Sequence, residues 1–300
     1  MNQKYKNIIS IILAVWIFAI GFAVGKDAGT EASLASGGGT EQVTEAIVAE
    51  KPTKPNFAGN NGGTNNGGST DNGGTDNGGS TDNGGSAPID PTQYTDEQIV
   101  QMMNYYVNLV KAESNMTATK SESIKVTVTD CSVPSLVGAI NEIVAGVIGD
   151  ESETVTYTFV NDREPGGGTP NSLIPPTNKE FVVSMDGIVS ADATVDANGN
   201  VTYTVVLVPE STTLSSPTPH YNATAIGYLD LASIDVSPAK ISQADMQYPG
   251  STVSVTVDAN DRVIKLYNKL PMTGNGKASL GLSGSATFEG ALDETWEFTY

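Results

Sequence analysis

The chain reads as an α+β protein in which N-terminal helices pack against a long, curved, mostly antiparallel sheet, half-barrel-like in form. Three observations predict this. The two long apolar stripes of helical period both fall early in the domain, before residue 150. Beyond residue 188 the pattern is mostly period-two alternation, the mark of half-buried strands. Those alternating runs are long and dotted with glycine, as strongly bent sheets are. Three parts follow: an N-terminal membrane anchor or signal segment at 1–26, a disordered Asn/Gly-rich tether at 27–93, and a globular α+β ectodomain at 94–300.

Lys4 and Lys6 precede an uncharged apolar run at 8–25, IISIILAVWIFAIGFAVG. As a helix this run spans about 27 Å, close to the roughly 30 Å hydrocarbon core of a bilayer. Two readings stand. One is a retained single-pass anchor. The other is a signal peptide cleaved near Ala23-Val24-Gly25 or Ser33-Leu34-Ala35. Lysines before the run and mostly acids after it place the N-terminus in the cytoplasm. The expected location is the extracytoplasmic face of the cell membrane, or the exterior if the segment is removed. The membrane is therefore an expected partner.

The tether is built on Asn-Gly-Gly units from Asn61-Gly62-Gly63 to Asn83-Gly84-Gly85. Glycine loses more backbone entropy on ordering than any other residue, and the run holds almost nothing apolar to offset that loss. A flexible coil over 27–93 has an r.m.s. span of about 45–50 Å. Asp71, Asp76 and Asp82 lack the apolar strand position that glycine-rich calcium repeats carry.

The domain opens with Thr95-Asp96-Glu97-Gln98, a capping box, with Tyr94 and Ile99 placed as its hydrophobic staple. Ile99, Met102, Met103, Tyr106, Leu109 and Val110 form one helical stripe reaching about Glu113. Ile124, Val126 and Val128 alternate as a strand. Ser132 and Pro134 then open a second helix, with Val137, Ile140 and Val144 on one face and Gly149 as its stop. Val155, Tyr157 and Phe159 alternate again, and residues 162–178 read as a long loop.

Asn198-Gly199 between alternating runs predicts a hairpin. A second hairpin turns near Asn260-Asp261. The two match at an offset of 62, Thr194-Val195-Asp196-Ala197-Asn198 against Thr256-Val257-Asp258-Ala259-Asn260. Either an old duplication or shared turn chemistry produces such an echo. Short helices are expected near Ala225 and at Ser237-Pro238. Two long strands, 276–289 and 292–300, close the chain, the last carrying Trp296, Phe298 and Tyr300 on one face.

The net charge of −19 excludes nucleic acid as a partner. The single cysteine, Cys131, permits no intrachain disulfide. It reads as a small residue at a strand end, because a thiol nucleophile needs a base and His220 is the sole histidine. His220 itself has no companion at metal-ligand spacing. Gly166-Gly167-Gly168 lacks the Lys-Ser/Thr of a phosphate loop. Ser237-Pro238-Ala239-Lys240 lacks the partner motifs of penicillin-binding enzymes. Asp196-Ala197-Asn198-Gly199-Asn200 has Leu207 where a calcium loop needs glutamate. Leu270-Pro271-Met272-Thr273-Gly274 spells the sortase pattern without the apolar segment and basic tail that must follow it, and so reads as a strand end and a turn. No catalytic residue, cofactor or metal is expected, and the domain reads as non-enzymatic.

In the order of these elements, from lysine-flanked apolar segment to aromatic C-terminus, the chain resembles exported, membrane-anchored proteins of Gram-positive gut bacteria. It also resembles bacterial lipoproteins whose curved sheet forms a half-barrel over helices, although their lipid-bearing cysteine is absent. The resemblance implies a ligand-binding or surface role and transfers no site residues. Two functions are therefore expected. One is a non-catalytic, membrane-tethered module binding an apolar small molecule or lipid, with Met102, Met103 and Tyr106 lining the pocket. The other is a structural or adhesive module contacting protein or a cell-surface polymer.

Overall fold

The computed structural model describes residues 51–57, 90–132, 134–148, 152–211, 218–224, 240–279 and 283–300. The apolar run at 8–25, the Asn-Gly-Gly units, Gly149 and the expected helices near Ala225 and Ser237 lie outside these residues. The described elements are α1 (Asp96–Lys111), β1 (Met116–Cys131), α2 (Val137–Ile148), β2 (Ser152–Phe159), α3 (Pro170–Leu173), β3 (Ile188–Val195), β4 (Val201–Leu207), β5 (Glu210–Ser211), α4 (Pro219–Ala223), β6 (Lys240–Tyr248), β7 (Thr252–Val257), β8 (Val263–Ser279) and β9 (Ser283–Thr299). The fold is α+β, with few helices on a large antiparallel sheet that does not close. The strand order is β2-β1-β9-β8-β7-β4-β3, with β6 pairing β8 and β5.

The three long strands β1, β9 and β8 form the spine of the sheet. Each extends roughly 55 Å at the usual rise per residue. β7 pairs with β8 as far as Lys269, and β6 pairs with it from Thr273 onward. Pro271 sits between these two partners, where its missing N–H breaks neither ladder. The expected turn at Leu270-Pro271-Met272-Thr273-Gly274 is therefore corrected. This stretch continues β8, in register with Leu292 to Phe288 of β9, and Leu270 and Met272 are buried. The expected break between Glu289 and Leu292 is corrected as well, since Gly290 lies inside β9 and pairs with Val126 and Met272.

Bends come from glycines and bulges. A Cβ on Gly274 would lie 2.4 Å from the Phe288 ring, and one on Gly290 would lie 2.4 Å from the Lys125 carbonyl oxygen. Glycine is used at both positions because the neighbour already fills the side-chain space. Register shifts at Val128/Asp130 and Thr256/Val257 add local twist.

The capping box forms as expected. Thr95 Oγ1 accepts from Gln98 N–H at 3.3 Å, and Gln98 Oε1 accepts from Thr95 N–H at 2.9 Å. α1 buries Ile99, Met102, Met103, Tyr106, Val107 and Val110 in the main core. Facing them are Tyr203, Val205, Val255, Leu266, Trp296 and Phe298 from the sheet. α2 packs Ile140 with Val128, Cys131 and Ala286 at the far end of β1 and β9. A third cluster unites Met246, Tyr248, Leu270, Met272, Phe288 and Leu292. All three clusters lie on one face of the sheet, as period-two side-chain direction requires. The 162–178 stretch, expected as plain loop, contains α3. Its start is capped by Thr169 and Ser172, which exchange side-chain bonds with each other's backbone N–H.

Candidate interaction surface

The opposite face of the sheet is open and polar. Two complete rows cross seven strands in register. The first runs Thr156, Thr119, Glu297, Lys265, Thr256, Thr202 and Thr194. The second runs Thr154, Ser121, Thr295, Tyr267, Ser254, Thr204 and Asp192. All of these side chains are half-buried or exposed. Hydroxyls bond across strands, Thr202 to Thr256 and Thr204 to Ser254 at 2.9 Å, and Thr119 to Thr156 at 3.2 Å. Charges on this face oppose one another: Lys265 stands across from Glu297, and Lys269 from Asp293. Tyr267 donates to Asp293 at 2.8 Å. Its hydroxyl is pushed up to about 12 by burial and then by the Asp293 carboxylate. The face is thus a lattice of hydroxyls with locally balanced charge, in a chain of net −19.

Inside, one polar row interrupts the core. Glu122, Glu294 and Asn268 are in register across β1, β9 and β8. Lys120 Nζ lies 2.8 Å from Glu122 Oε2 and 3.2 Å from Glu294 Oε2. It also sits 5.6 Å from the Trp296 ring centroid. Trp296 Nε1 donates to Glu294 Oε1 at 2.8 Å. Glu122 and Glu294 are 6% and 1% exposed, so the carboxylates are held by these neighbours rather than offered to solvent. The row divides the core under α1 from the Leu270 cluster.

A second buried group ties α4 to the sheet. His220 Nδ1 lies 2.7 Å from Glu210 Oε2, and the imidazole stacks on Tyr248 at 5.5 Å. Burial holds the His220 imidazole below its ordinary range, and Glu210 pulls it partly back. Sequence reasoning missed Glu210, because its position relative to His220 is set by the β5–β6 pairing, not by spacing.

Met102, Met103 and Tyr106, the expected pocket lining, are each at most 1% exposed and belong to the main core. The Tyr106 hydroxyl donates to Asp261, and burial followed by that bond pushes it well above the usual tyrosine range. Cys131 ends β1 and is buried beside Ile140. Asp196 serves its own turn, accepting from Asn198 and Asn200 N–H at 2.8 and 2.9 Å. Asp258 repeats this with Asn260 and Arg262, both at 2.9 Å. Among the described residues, no three His, Cys, Asp or Glu side chains are grouped to hold a metal, and no helix is long and apolar enough to cross a membrane.

Comparison with protein-family models, curated proteins and solved structures finds no match to this chain.

Proposed function

We propose that the domain is a non-catalytic, extracytoplasmic interaction module that presents the open face of its sheet to a neutral, hydroxyl-rich cell-surface polymer. The observation that carries this reading is the hydroxyl lattice across seven strands, charge-balanced by Lys265–Glu297 and Lys269–Asp293. Such a face exchanges hydrogen bonds with sugar hydroxyls and needs no ionic partner to do so. The apolar-carrier reading places its ligand against Met102, Met103 and Tyr106, and their enclosure among core side chains favours packing over a ligand cavity.

The test is depletion of the full chain by Gram-positive sacculi stripped of anionic polymers. Saturable depletion is expected, reduced at least tenfold by Thr204→Arg together with Thr256→Arg. Absence of depletion, or depletion indifferent to those changes, overturns the reading. Stoichiometric lipid found by solvent extraction and mass spectrometry favours the carrier instead.

A further inference from the structure

Residues 51–57 fall within the stretch expected to be tether, yet they lie against the domain. Lys51 pairs with Glu113 at 3.2 Å. Lys54 Nζ reaches both carboxylate oxygens of Asp261 at 2.7 Å and sits 5.7 Å from the Tyr106 ring centroid. Phe57 meets Tyr94 edge-on at 5.2 Å. Phe57 thereby caps a column of rings that continues through Tyr94, Tyr203 and Tyr106, with centroids 6.4 and 5.7 Å apart. Asp261 closes the other end of the column by accepting from Tyr106.

Asp261 occupies an unusual position for a side chain. Its φ is +68°, in the left-handed region, and the matching residue of the first hairpin is Gly199 at +80°. Glycine holds that conformation without steric cost. The second turn instead keeps a carboxylate there and commits it to Lys54 and Tyr106. A strained position with a specific partner is where a functional constraint is to be sought.

We infer that 51–57 is a clasp binding the chain to the Asp261–Tyr106–Tyr94 surface, which holds both ends of the stretch 58–89 at the domain. Residues 58–89 begin beside Phe57 and end just before Tyr94, and those two rings touch. They therefore add no length between the domain and segment 1–26. The chain between segment 1–26 and its attachment to the domain is then residues 27–50 instead of 27–93. Exposed ion pairs and ring contacts of this kind are individually weak, so the clasp is releasable, and release lengthens the tether.

The experiment uses the full chain in detergent micelles, in a Cys131→Ser background. Dyes at Glu45→Cys and Thr158→Cys report the separation by single-molecule energy transfer. Deleting residues 62–79 should leave that distance unchanged while the clasp holds. In Lys54→Ala/Phe57→Ala, and separately in Asp261→Gly, the distance should lengthen and then shorten on the same deletion. Asp261→Gly installs the residue of the sister turn, and an unchanged sheet circular dichroism signal controls for folding. Equal shortening with the clasp intact and cut overturns the inference. So does a distance indifferent to the clasp variants, or transfer between molecules carrying single dyes, which places the segment on a neighbouring copy.

Discussion

Asn104 on α1 holds the backbone of Val183 at both ends, donating from Nδ2 to its carbonyl and accepting its N–H, each at 2.8 Å. One turn on, Asn108 does the same for Phe181. On α2, Asn141 does it for Val128, where the β1 ladder shifts register. In each case a side-chain amide stands in for a neighbouring strand. Val183 is buried, so truncation would strand two backbone groups away from water. Asn104→Ala should cost about 2–6 kcal/mol, the sum of two such losses at about 1–3 each, read by chemical denaturation. A loss below about 0.5 kcal/mol would mean that water replaces the amide.

Lys111 ends the same helical face and donates to the carbonyl oxygens of Ile174 and Pro176 at 2.8 and 2.5 Å. Burial, then the neighbouring Lys179 charge, lowers its ammonium to about 7. An unfolded lysine titrates near 10.4. Between those values the unfolded chain binds more protons, so folding stability should rise with pH from about 7 to 10. The buried His220 adds a separate rise, at and below its ordinary range. Tyr106, Tyr203 and Tyr248, all raised mainly by burial, reverse the slope above about 10. Denaturation free energies from pH 7.5 to 9.5 should climb in the native chain and flatten in Lys111→Met. Equal slopes would show that Lys111 remains charged in the folded state.

How much of this was legible depends on where each partner lies. The α1 capping box, its apolar stripe and the Asn198-Gly199 hairpin are local, and all stand where the sequence placed them. Gly290 and Pro271 misled because glycine and proline usually punctuate strands, whereas here the Lys125 carbonyl and the gap between β7 and β6 accommodate them. Glu122 and Glu294 carry no signal in the local sequence pattern. Only the register of β1 against β9, set by pairing far apart in sequence, brings them opposite one another. Lys54 looked like linker for the same reason, since its partner Asp261 lies across the chain. On the outer face most threonines were readable as strand, Thr119 excepted because the expected strand began only at Ile124, and the seven-strand rows depend on the order of strands that no local pattern encodes.

The C-terminal strand is integral to the core. Phe298 is 3% exposed, pairs with Ala118 and belongs to the cluster beneath α1. Truncating a buried aromatic costs about 3–5 kcal/mol through lost transfer energy and the cavity left behind, against a total of roughly 5–15 for a domain. Phe298→Ala should therefore lower the denaturation midpoint sharply. An unchanged midpoint would mean that the strand end is detached in solution.

Lys120 pairs with both Glu122 and Glu294. Its removal leaves two carboxylates directly opposite on adjacent strands, where side chains stand about 5 Å apart. Breaking a buried ion pair by deleting one partner costs about 3–5 kcal/mol, and Lys120→Met should lose that much at pH 8. Like charges in a dry site favour uptake of a proton by one of them. The folded variant then binds more protons than its unfolded chain, so its stability should recover as pH falls from 8 towards 5. Denaturation of both proteins at the two pH values tests this. The loss in Lys120→Met should be clearly smaller at pH 5, and Lys120→Met combined with Glu122→Gln should remove the recovery. An equal loss at both pH values would show that water, and not Lys120, holds the pair apart.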